Sequence, residues 1–440
     1  MEIFIKVVQL LMSLSILVII HEFGHFIAAK IFGTRVEKFY LFFNPWFSIF
    51  KFRYGETVYG MGWLPLGGYV KISGMIDESM DKEQMKKPPQ PWEFRSKPAW
   101  QRLIIMLGGV TMNIILAVMI YIGMLFIWGE QYLPAENVKY GITVDSLGKK
   151  MGLQDGDIIL SVDNEKVENF NKIPEKIILD EAENVQVLRA GEKMNISVPE
   201  GFLSSLVKQR TPGFISVRFP FEVEKFTAGS PAKEAGMQKD DRIIGLNDMT
   251  VTYFDEFRRE IQRFAGETVS VTVVRDSDTL ALSIPVPEEG LIGVYPYSNL
   301  DHYFELKERN YSLPEAIPAG ISKTYYGIGN YLKQLRLIFS PEVKAYESVG
   351  GFITIGNIFP AEWHWQSFWT LTAFLSIMLA ILNVLPIPAL DGGHVLFLTY
   401  EILTGRKPSD KFLEYAQIAG MIILFAILIF ANANDIIRLF

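Results

Sequence analysis

Four apolar runs, each long enough to cross a bilayer, divide this 440-residue chain. The hydrocarbon core of a bilayer requires about 20 consecutive apolar residues in a helix. The pattern therefore predicts membrane helices in 1–32, 101–128, 367–390 and 413–433. From 129 to 366 no apolar run is long enough to span. The predicted fold class is a polytopic α-helical membrane protein with a large insertion between its second and third helices.

The segment 33–100 combines an aromatic run with a glycine-rich stretch. Residues 39–50 are apolar but too short to span, and Asn44-Pro45 interrupts them, which predicts a re-entrant or interfacial hairpin. In 57–70, glycines alternate with β-formers, which predicts short strands; an ordinary hairpin at the membrane surface is the alternative. Residues 77–97 are polar and proline-rich and are predicted to form a linker.

The insertion contains an internal repeat, which predicts two modules at 129–209 and 210–290. The copies read Met151-Gly152-Leu153-Gln154-Asp155-Gly156-Asp157-Ile158-Ile159 and Ala235-Gly236-Met237-Gln238-Lys239-Asp240-Asp241-Arg242-Ile243-Ile244. This pattern resembles the PDZ domain in the circularly permuted arrangement usual for bacterial proteases. The resemblance implies α+β modules that bind extended peptides by strand addition. Spacers or sieves without a ligand are the alternative. Asp240 replaces the expected glycine and leaves that turn unpredicted.

The distribution of basic residues predicts the orientation in the membrane. Lysine and arginine are concentrated in 33–100 and in 391–412, which is predicted to be a loop. The positive-inside rule places both segments in the cytoplasm, so the termini and the repeat lie outside it. Residues 291–366 include amphipathic stretches such as 321–338, which predict a helix at the membrane surface. A tail, 434–440, follows the last helix.

Composition excludes several classes of function. The net charge of −7 provides no basic footprint for nucleic acid, so we expect no such partner. The chain has no cysteine, which excludes thiol nucleophiles, disulfides and cysteine-based zinc sites. Only five histidines are available as metal ligands.

Two of these histidines lie in the first apolar run, in the motif His21-Glu22-Phe23-Gly24-His25. H-E-x-x-H on a helix is the zinc-protease signature, because residues four apart share one helical face and can bind one metal ion. Glu22 lies about 60° around the helix axis from His25, so it can reach a water molecule on the metal without acting as a ligand. Ionisable groups in a membrane helix are costly and mark functional sites. An incidental polar face is the alternative.

A catalytic zinc usually has three protein ligands and an open position. At membrane depth the remaining candidates are Asp391 and His394, which follow the prolines that break the third apolar run. The carboxylate and the flanking glycines favour Asp391. An aspartate at this position could equally cap the next helix. The prediction is a Zn²⁺ site formed by His21, His25 and Asp391, with Glu22 as the general base.

These motifs together resemble the site-two proteases. The second motif is Asn383-Val384-Leu385-Pro386-Ile387-Pro388-Ala389-Leu390-Asp391-Gly392-Gly393, and the two PDZ-like copies resemble the bacterial RseP type of that family. Similarity extends to 33–39, to 65–71, and to Gly109 and Asn113 in the second helix. Where the family usually has proline after that glycine, this chain has Val110.

The resemblance implies further site residues. It implies that Asn383 contacts the substrate or the developing oxyanion. It also implies that the glycine-rich stretch is a re-entrant β-element that holds the substrate as a strand, and we assign this role to Gly60, Met61, Gly62 and Trp63. Asn113 is a candidate substrate contact; a packing hydrogen bond between membrane helices is its alternative.

The sequence thus predicts an intramembrane zinc metalloprotease that cleaves single-pass membrane proteins during regulated intramembrane proteolysis. Anti-sigma factor-type proteins and remnant signal peptides are the substrates that the resemblance implies. The expected location is the bacterial inner membrane, in contact with lipid, with the PDZ-like modules in the periplasm. One alternative is a metal transporter, which does not explain Glu22. Another is a catalytically inactive membrane-anchored PDZ scaffold, which does not explain the intact motif.

Overall fold

The computed structural model describes residues 1–65, 67–75, 88–209, 213–341, 343 and 350–437. Residues 77–87 of the predicted linker, and Leu66 of the glycine-rich stretch, lie outside these ranges. The chain forms two compact units. The first unit comprises Met1–Gly129, Asn310–Arg336 and Tyr346–Phe440, and the second comprises Glu130–Arg309 and Leu337–Ala345.

The helices and strands are numbered in chain order. The helices are α1 Glu2–Ile31, α2 Ala99–Trp128, α3 Ser146–Met151, α4 Lys172–Leu179, α5 Phe202–Gln209, α6 Pro231–Glu234, α7 Phe254–Ile261, α8 Leu313–Ile338, α9 Phe352–Ile358, α10 Trp365–Val384, α11 Asp391–Thr404 and α12 Asp410–Ile437. The strands are β1 Val36–Leu41, β2 Phe50–Tyr54, β3 Thr57–Met61, β4 Tyr69–Ile72, β5 Glu130–Tyr132, β6 Ile142–Val144, β7 Ile158–Val162, β8 Asn184–Arg189, β9 Glu192–Ser197, β10 Ile215–Val217, β11 Val223–Phe226, β12 Arg242–Leu246, β13 Met249–Thr250, β14 Thr268–Arg275, β15 Asp278–Pro285, β16 Val294–Pro296 and β17 Lys307–Arg309.

Four helices of the first unit, α1, α2, α10 and α12, are long and apolar enough to cross a membrane. They correspond to the four predicted spans, which are confirmed. α2 lies at the centre of the unit and packs against α1, α10 and α11. The cores between these helices consist of aliphatic and aromatic side chains such as Leu17, Ala117 and Phe368.

The segment 391–412 was predicted to be a loop, and this prediction is wrong because residues 391–404 form α11. α10 packs beside Ala117 in the C-terminal half of α2, whereas Leu398 of α11 packs beside Ile105 in its N-terminal half. α10 and α11 are thus successive pieces of one broken helix along α2. The break places the Leu385–Leu390 turn, and Asp391 after it, at the level of α2's middle.

A four-stranded sheet follows α1 in the first unit, and the predicted short strands are therefore confirmed. Its strand order is β2-β3-β1-β4, with β1 and β3 parallel and the other pairs antiparallel. The strand predicted to hold the substrate at Gly60–Trp63 has no free edge at Gly60 and Met61, because both residues pair with β1 on one side and with β2 on the other. Within the described residues, no strand pairs with the outer edge of β4.

The second unit contains two modules, each with its own apolar core. In the first module, β7, β8 and β9 form a sheet and β6 pairs with β10. In the second, the sheet order is β13-β12-β14-β15 and β11 pairs with β16. The pairing of β10 with β6 moves the boundary between the modules beyond the predicted residue 209. Likewise, β16 extends the second module beyond residue 290.

One buried ion pair recurs at the same place in both modules. In the first, Arg189 donates from Nε to Asp157 Oδ1 at 2.7 Å and from Nη2 to Gly152 O at 2.8 Å. In the second, Arg275 donates to Asp241 Oδ1 at 2.7 Å and to Gly236 O at 2.9 Å. The repeat in the sequence is therefore a repeat of side-chain contacts as well.

The turn that contains Asp240 keeps the conformation of its counterpart. Gly156 has φ +94° and Asp240 has φ +69°, both in the left-handed region. Asp tolerates this region better than most residues other than glycine. The Tyr297 hydroxyl donates to the Asp240 carboxylate, and this hydrogen bond raises the pKa of Tyr297 to about 12.

The segment 291–366 is more varied than the predicted amphipathic surface helix. It begins with β16 and β17, which pair with β11 and β5 in the second unit. The helix α8 follows, and within the first unit its small residues Ala316 and Gly320 face α2. Its opposite face exposes apolar side chains such as Ile321 and Tyr325.

The recurring ion pairs lead to a stability prediction. Arg189→Ala or Arg275→Ala leaves a fully buried aspartate without its cation, which lowers the free energy of unfolding of that module. We expect faster amide hydrogen exchange in β7 and β8 for the first variant and in β12 and β14 for the second. Lys166→Ala is the control, because both side chains of the Lys166–Glu136 pair are exposed and the pair contributes little. Unchanged exchange in both arginine variants would contradict this account.

Candidate metal centre

The histidines of the H-E-x-x-H motif lie on the buried face of α1, one helical turn apart. His21 and His25 are 7% and 6% exposed, and their rings meet edge to face at 4.9 Å. α1 and α2 approach so closely here that a Cβ on Gly24 would lie 2.2 Å from the carbonyl oxygen of Gly108. A Cβ on Gly109 would lie 2.5 Å from His25 Nε2. The glycines of α2 therefore make the space that the two rings occupy.

The next residue, Val110, stands where the site-two proteases usually have proline. It is 5% exposed and lies within the continuous helix α2. Proline inside a helix removes a backbone hydrogen bond and bends the helix. Valine keeps that donor, and α2 runs through this position without interruption.

The backbone of α2 determines which nitrogen of His25 is free to bind a metal. His25 Nδ1 lies 2.9 Å from the carbonyl oxygen of Ile105, and a carbonyl oxygen only accepts hydrogen bonds. Nδ1 therefore carries the proton and donates it. In the neutral ring, Nε2 then presents a lone pair. This is the arrangement found around histidine ligands of metals, whose other nitrogen donates to an outer partner.

Two asparagine amides contact His21, one at each ring nitrogen. The Asn113 amide is 3.2 Å from Nδ1, and the Asn383 amide is 3.1 Å from Nε2. Asn113 is fully buried and its Oδ1 has no hydrogen-bond partner. Because an amide oxygen and nitrogen occupy nearly equivalent positions, a half-turn of this amide brings Oδ1 to Nδ1 as an acceptor. His21 then matches His25, with Nδ1 donating and a lone pair on Nε2.

The break between α10 and α11 brings Asp391 to these histidines. After α10 ends, Ala389 adopts φ +79° in the turn that breaks the helix, and Asp391 is the first residue of α11. A Cβ on Gly392 would lie 2.0 Å from the carbonyl oxygen of Leu385. Only glycine allows the first turn of α11 to pack this closely against the preceding turn.

Three ligand atoms converge at this point. Asp391 Oδ2 is 3.1 Å from His21 Nε2 and 3.2 Å from His25 Nε2, and the two ring nitrogens are 3.3 Å apart. Asp391 Oδ2 is buried and accepts no hydrogen bond. Three electron pairs facing one another in a buried site repel unless a cation lies between them. Two imidazoles and one carboxylate are a zinc ligand set, so the residues fit this metal.

Glu22 lies beside this group without belonging to it. In the described part of the chain, the converging ligand atoms are those of His21, His25 and Asp391. The Glu22 carboxylate interacts with the backbone amide of Val70 on β4. Glu22 and the three ligand residues line a cavity of about 390 Å³. The complete lining is His21, Glu22, His25, Lys38, Phe43, Gly68, Tyr69, Val70, Lys71, Ile72, Met75, Met106, Ala389, Leu390, Asp391, His394 and Gln417.

A model of peptidase family M50 matches residues 9–427, nearly the whole chain. The chain belongs to peptidase family M50. Several curated proteins are similar over their full length. The Regulator of sigma E protease of Haemophilus influenzae is 28% identical over 98% of both chains. Protease RseP of Yersinia pestis is 28% identical over the whole of both chains, and Regulator of sigma-E protease RseP of Salmonella typhimurium is 28% identical over 98% of both.

These matches confirm the resemblance to the site-two proteases. The M50 chain is a zinc metalloprotease and an integral membrane protein, and the predicted cofactor Zn²⁺ is confirmed with the enzyme class. The geometry supplies what such an enzyme needs: a set of metal ligands, an adjacent carboxylate and an open cavity beside both.

The predicted site residues of the M50 peptidase fall into two groups. Six of them lie together at the centre: His21, Glu22, His25, Asn113, Asn383 and Asp391. The other four are not among the residues that line the cavity: Gly60, Met61, Gly62 and Trp63. The Trp63 indole instead donates to the Pro45 carbonyl and stacks on Trp46.

Sequence reasoning assigned no role to several groups at this centre. The carbonyl of Ile105 and the glycine at position 109 hold and accommodate the histidines, and strand β4 borders the cavity instead of β3. A backbone carbonyl has no side-chain signature. Two adjacent glycines in an apolar helix were a usable signal, because small residues mark close contacts between membrane helices.

The ligand assignment predicts different results for the two candidates. Asp391→Ala removes a converging oxygen, so the purified full-length variant should bind zinc more than about 100-fold more weakly in chelator competition. His394→Ala should retain zinc, because His394 lines the cavity outside the ligand group. Zinc loss in His394→Ala with retention in Asp391→Ala would refute the assignment.

Proposed function

We propose that this M50 peptidase hydrolyses a peptide bond within or beside the transmembrane segment of single-pass membrane proteins. The observation that carries the proposal is the location of the ligand group. His21, His25 and Asp391 converge where a membrane helix is broken, in the cavity that also holds a half-buried glutamate. A soluble substrate does not require catalytic groups at that depth.

Each residue at the centre has one role in this mechanism. His21, His25 and Asp391 hold zinc, which when bound acidifies water and polarises a carbonyl group. Glu22 accepts the proton of the attacking water and transfers it to the amine that leaves. The Asn383 amide lies beside His21 Nε2 at the ligand group, where it would donate a hydrogen bond to the carbonyl oxygen of a bound substrate.

The outer edge of β4 is the place where the substrate is held. A peptide bond in a helix is shielded by its own hydrogen bonds, and its backbone groups need new partners once it unwinds in lipid. The open edge of β4 offers such partners by strand addition. It runs beside Glu22, at Gly68 and Val70. The sequence predicted this role for Gly60 to Trp63; we propose it for β4, whose unpaired edge supports strand addition.

The relatives and the second unit support the finer parts of the proposal. Two full-length relatives are named regulators of sigma E, which supports anti-sigma factor-type substrates cleaved by regulated intramembrane proteolysis. Remnant signal peptides are a second substrate class. The two modules of the second unit are PDZ-like domains that select the substrate by binding or by size. The enzyme lies in the bacterial inner membrane, with these modules in the periplasm.

The alternative functions have less support. A metal transporter needs ligands along a path, whereas the described ligand atoms form one group with a glutamate beside it. A catalytically inactive scaffold does not need the hydrogen bonds that orient His25. Zinc content measured together with cleavage of a labelled single-span membrane peptide separates the three functions.

The first prediction from this mechanism concerns the base. Glu22→Gln keeps all three ligands, so the purified protein should retain zinc. Loss of a general base lowers turnover by about 10²–10⁴-fold or more, measured with a labelled membrane peptide. Glu56→Gln is the control, because Glu56 pairs with Lys30 at the end of α1. Turnover near the wild-type rate in Glu22→Gln would refute the mechanism.

The second prediction concerns the strand edge. Val70→Pro removes the backbone N–H of β4 that also interacts with the Glu22 carboxylate, whereas Val70→Ala shortens the same side chain and keeps that donor. We expect cleavage to fall more than about tenfold in Val70→Pro only, with zinc retained in both variants. A substrate with a destabilised helix should recover part of the loss, since it needs less unwinding. Recovery of cleavage with a helix-destabilised substrate therefore separates a lost strand contact from a displaced base. Equal rates in the two variants would show that β4 does not bind the substrate.

A further inference from the structure

Two lysines lie opposite each other at the border of the catalytic cavity. Lys38 on β1 and Lys71 on β4 are direct partners in the antiparallel register. Both line the cavity that contains Glu22 and the three ligand residues. The mechanism described above uses neither lysine.

This pairing does not stabilise the sheet. Like charges directly opposite on neighbouring strands are destabilising. Lys71 is 3.4 Å from the Glu37 carboxylate, which also accepts a hydrogen bond from Ser73 at 2.9 Å. Lys38 is exposed, and in the described part of the chain no carboxylate lies within 4.0 Å of its ammonium group. Glu37 thus offsets the charge of Lys71, and the pair leaves one net positive charge, that of Lys38, at the border of the cavity.

The geometry of the sheet relates this charge to the substrate. Side chains alternate along a strand, so Lys71 and Tyr69 share one face of β4, and the stacked Tyr40 lies on the same face of β1. A peptide added to the outer edge of β4 presents every second side chain to this face. Directly opposed residues have Cβ atoms about 5 Å apart. A side chain opposite Lys71 therefore reaches its ammonium group.

The position of Lys71 along β4 determines how far its charge lies from the bond that is cut. Val70, the neighbour of Lys71, interacts with the catalytic carboxylate of Glu22. A substrate residue opposite Lys71 consequently lies within about two residues of the scissile bond. Cleavage also creates a new chain-terminal carboxylate in the same region.

We propose that Lys38 and Lys71 form a carboxylate subsite of this protease, which takes an acidic substrate side chain or the new terminal carboxylate next to the scissile bond. The inference rests on the proposed function and on strand addition at β4. It names a chemical preference: a carboxylate close to the cut in an otherwise apolar segment, which lies opposite Lys71 with Lys38 on the next strand, so that the ammonium groups replace the solvation it loses.

The test uses full-length, zinc-loaded protein in lipid and synthetic single-span peptides. Glutamate is moved through successive positions around the cut, and each peptide is paired with its glutamine counterpart. We expect one position at which the kcat/KM ratio of Glu to Gln peptides exceeds about ten. Lys38→Met and Lys71→Met should each lower this ratio toward one. Lys51→Met, on the opposite edge strand β2, should leave it unchanged.

A second arm distinguishes the two sources of the carboxylate. The amino-terminal cleavage product is added as an inhibitor, either as the free acid or as the amide. Stronger inhibition by the acid that disappears in both lysine variants supports binding of the new chain terminus. A Glu preference that disappears in both variants supports binding of a side chain.

Two failures have different meanings. In the first, wild-type protein cleaves the peptides, but the lysine variants show the same kcat/KM ratio of Glu to Gln peptides and the same difference in inhibition between the acid and amide products. The subsite is then refuted and the protease function stands. In the second, zinc-loaded wild-type protein cleaves none of the peptides, and the proposed function fails as well. A Lys38→Glu variant that prefers lysine at the mapped position would establish direct contact.

Discussion

The centre of the first unit depends on three ligand atoms whose lone pairs face one another in a buried site, where water does not solvate them. His21, His25 and Asp391 present these pairs to one another at just over 3 Å. Without a cation the arrangement is repulsive; with one it is a metal site. The surrounding groups position the three ligands. The Ile105 carbonyl orients the His25 ring, the Asn113 and Asn383 amides contact the His21 ring, and the break between α10 and α11 brings in the Asp391 carboxylate.

Close approach of the backbones makes this convergence possible. Lipid provides no hydrophobic force between helices, so membrane helices associate where small residues allow contact. Gly24 and Gly108 provide that contact between α1 and α2, and Gly392 allows α11 to fold back against the turn before it. Larger residues at these positions would separate the ligands while leaving every ligand in the sequence. The glycines are therefore as much a part of the centre as the histidines.

An unpaired strand edge is usually a liability, because it invites pairing with another chain. In this protein the outer edge of β4 borders the cavity beside Glu22, where such pairing would serve catalysis. The same strand places Lys71 opposite Lys38, so one element combines backbone recognition with charge. The second unit repeats its own design, with an equivalent arginine–aspartate pair in each module.

The sequence by itself determined whatever depends on local spacing. Helical periodicity places His21 and His25 on one face, and the lengths of the apolar runs predict the four membrane helices. The turn residues around Asp157 and Asp241 indicate the repeat.

Only the tertiary structure decided which strand lies at an edge, because alternation along a strand does not reveal its neighbours. It also decided the boundary between the modules, since β10 and β16 pair across long stretches of chain. The role of the Ile105 carbonyl could be recognised only in the folded structure. Every residue carries a backbone carbonyl, and only the contact with His25 distinguishes this one.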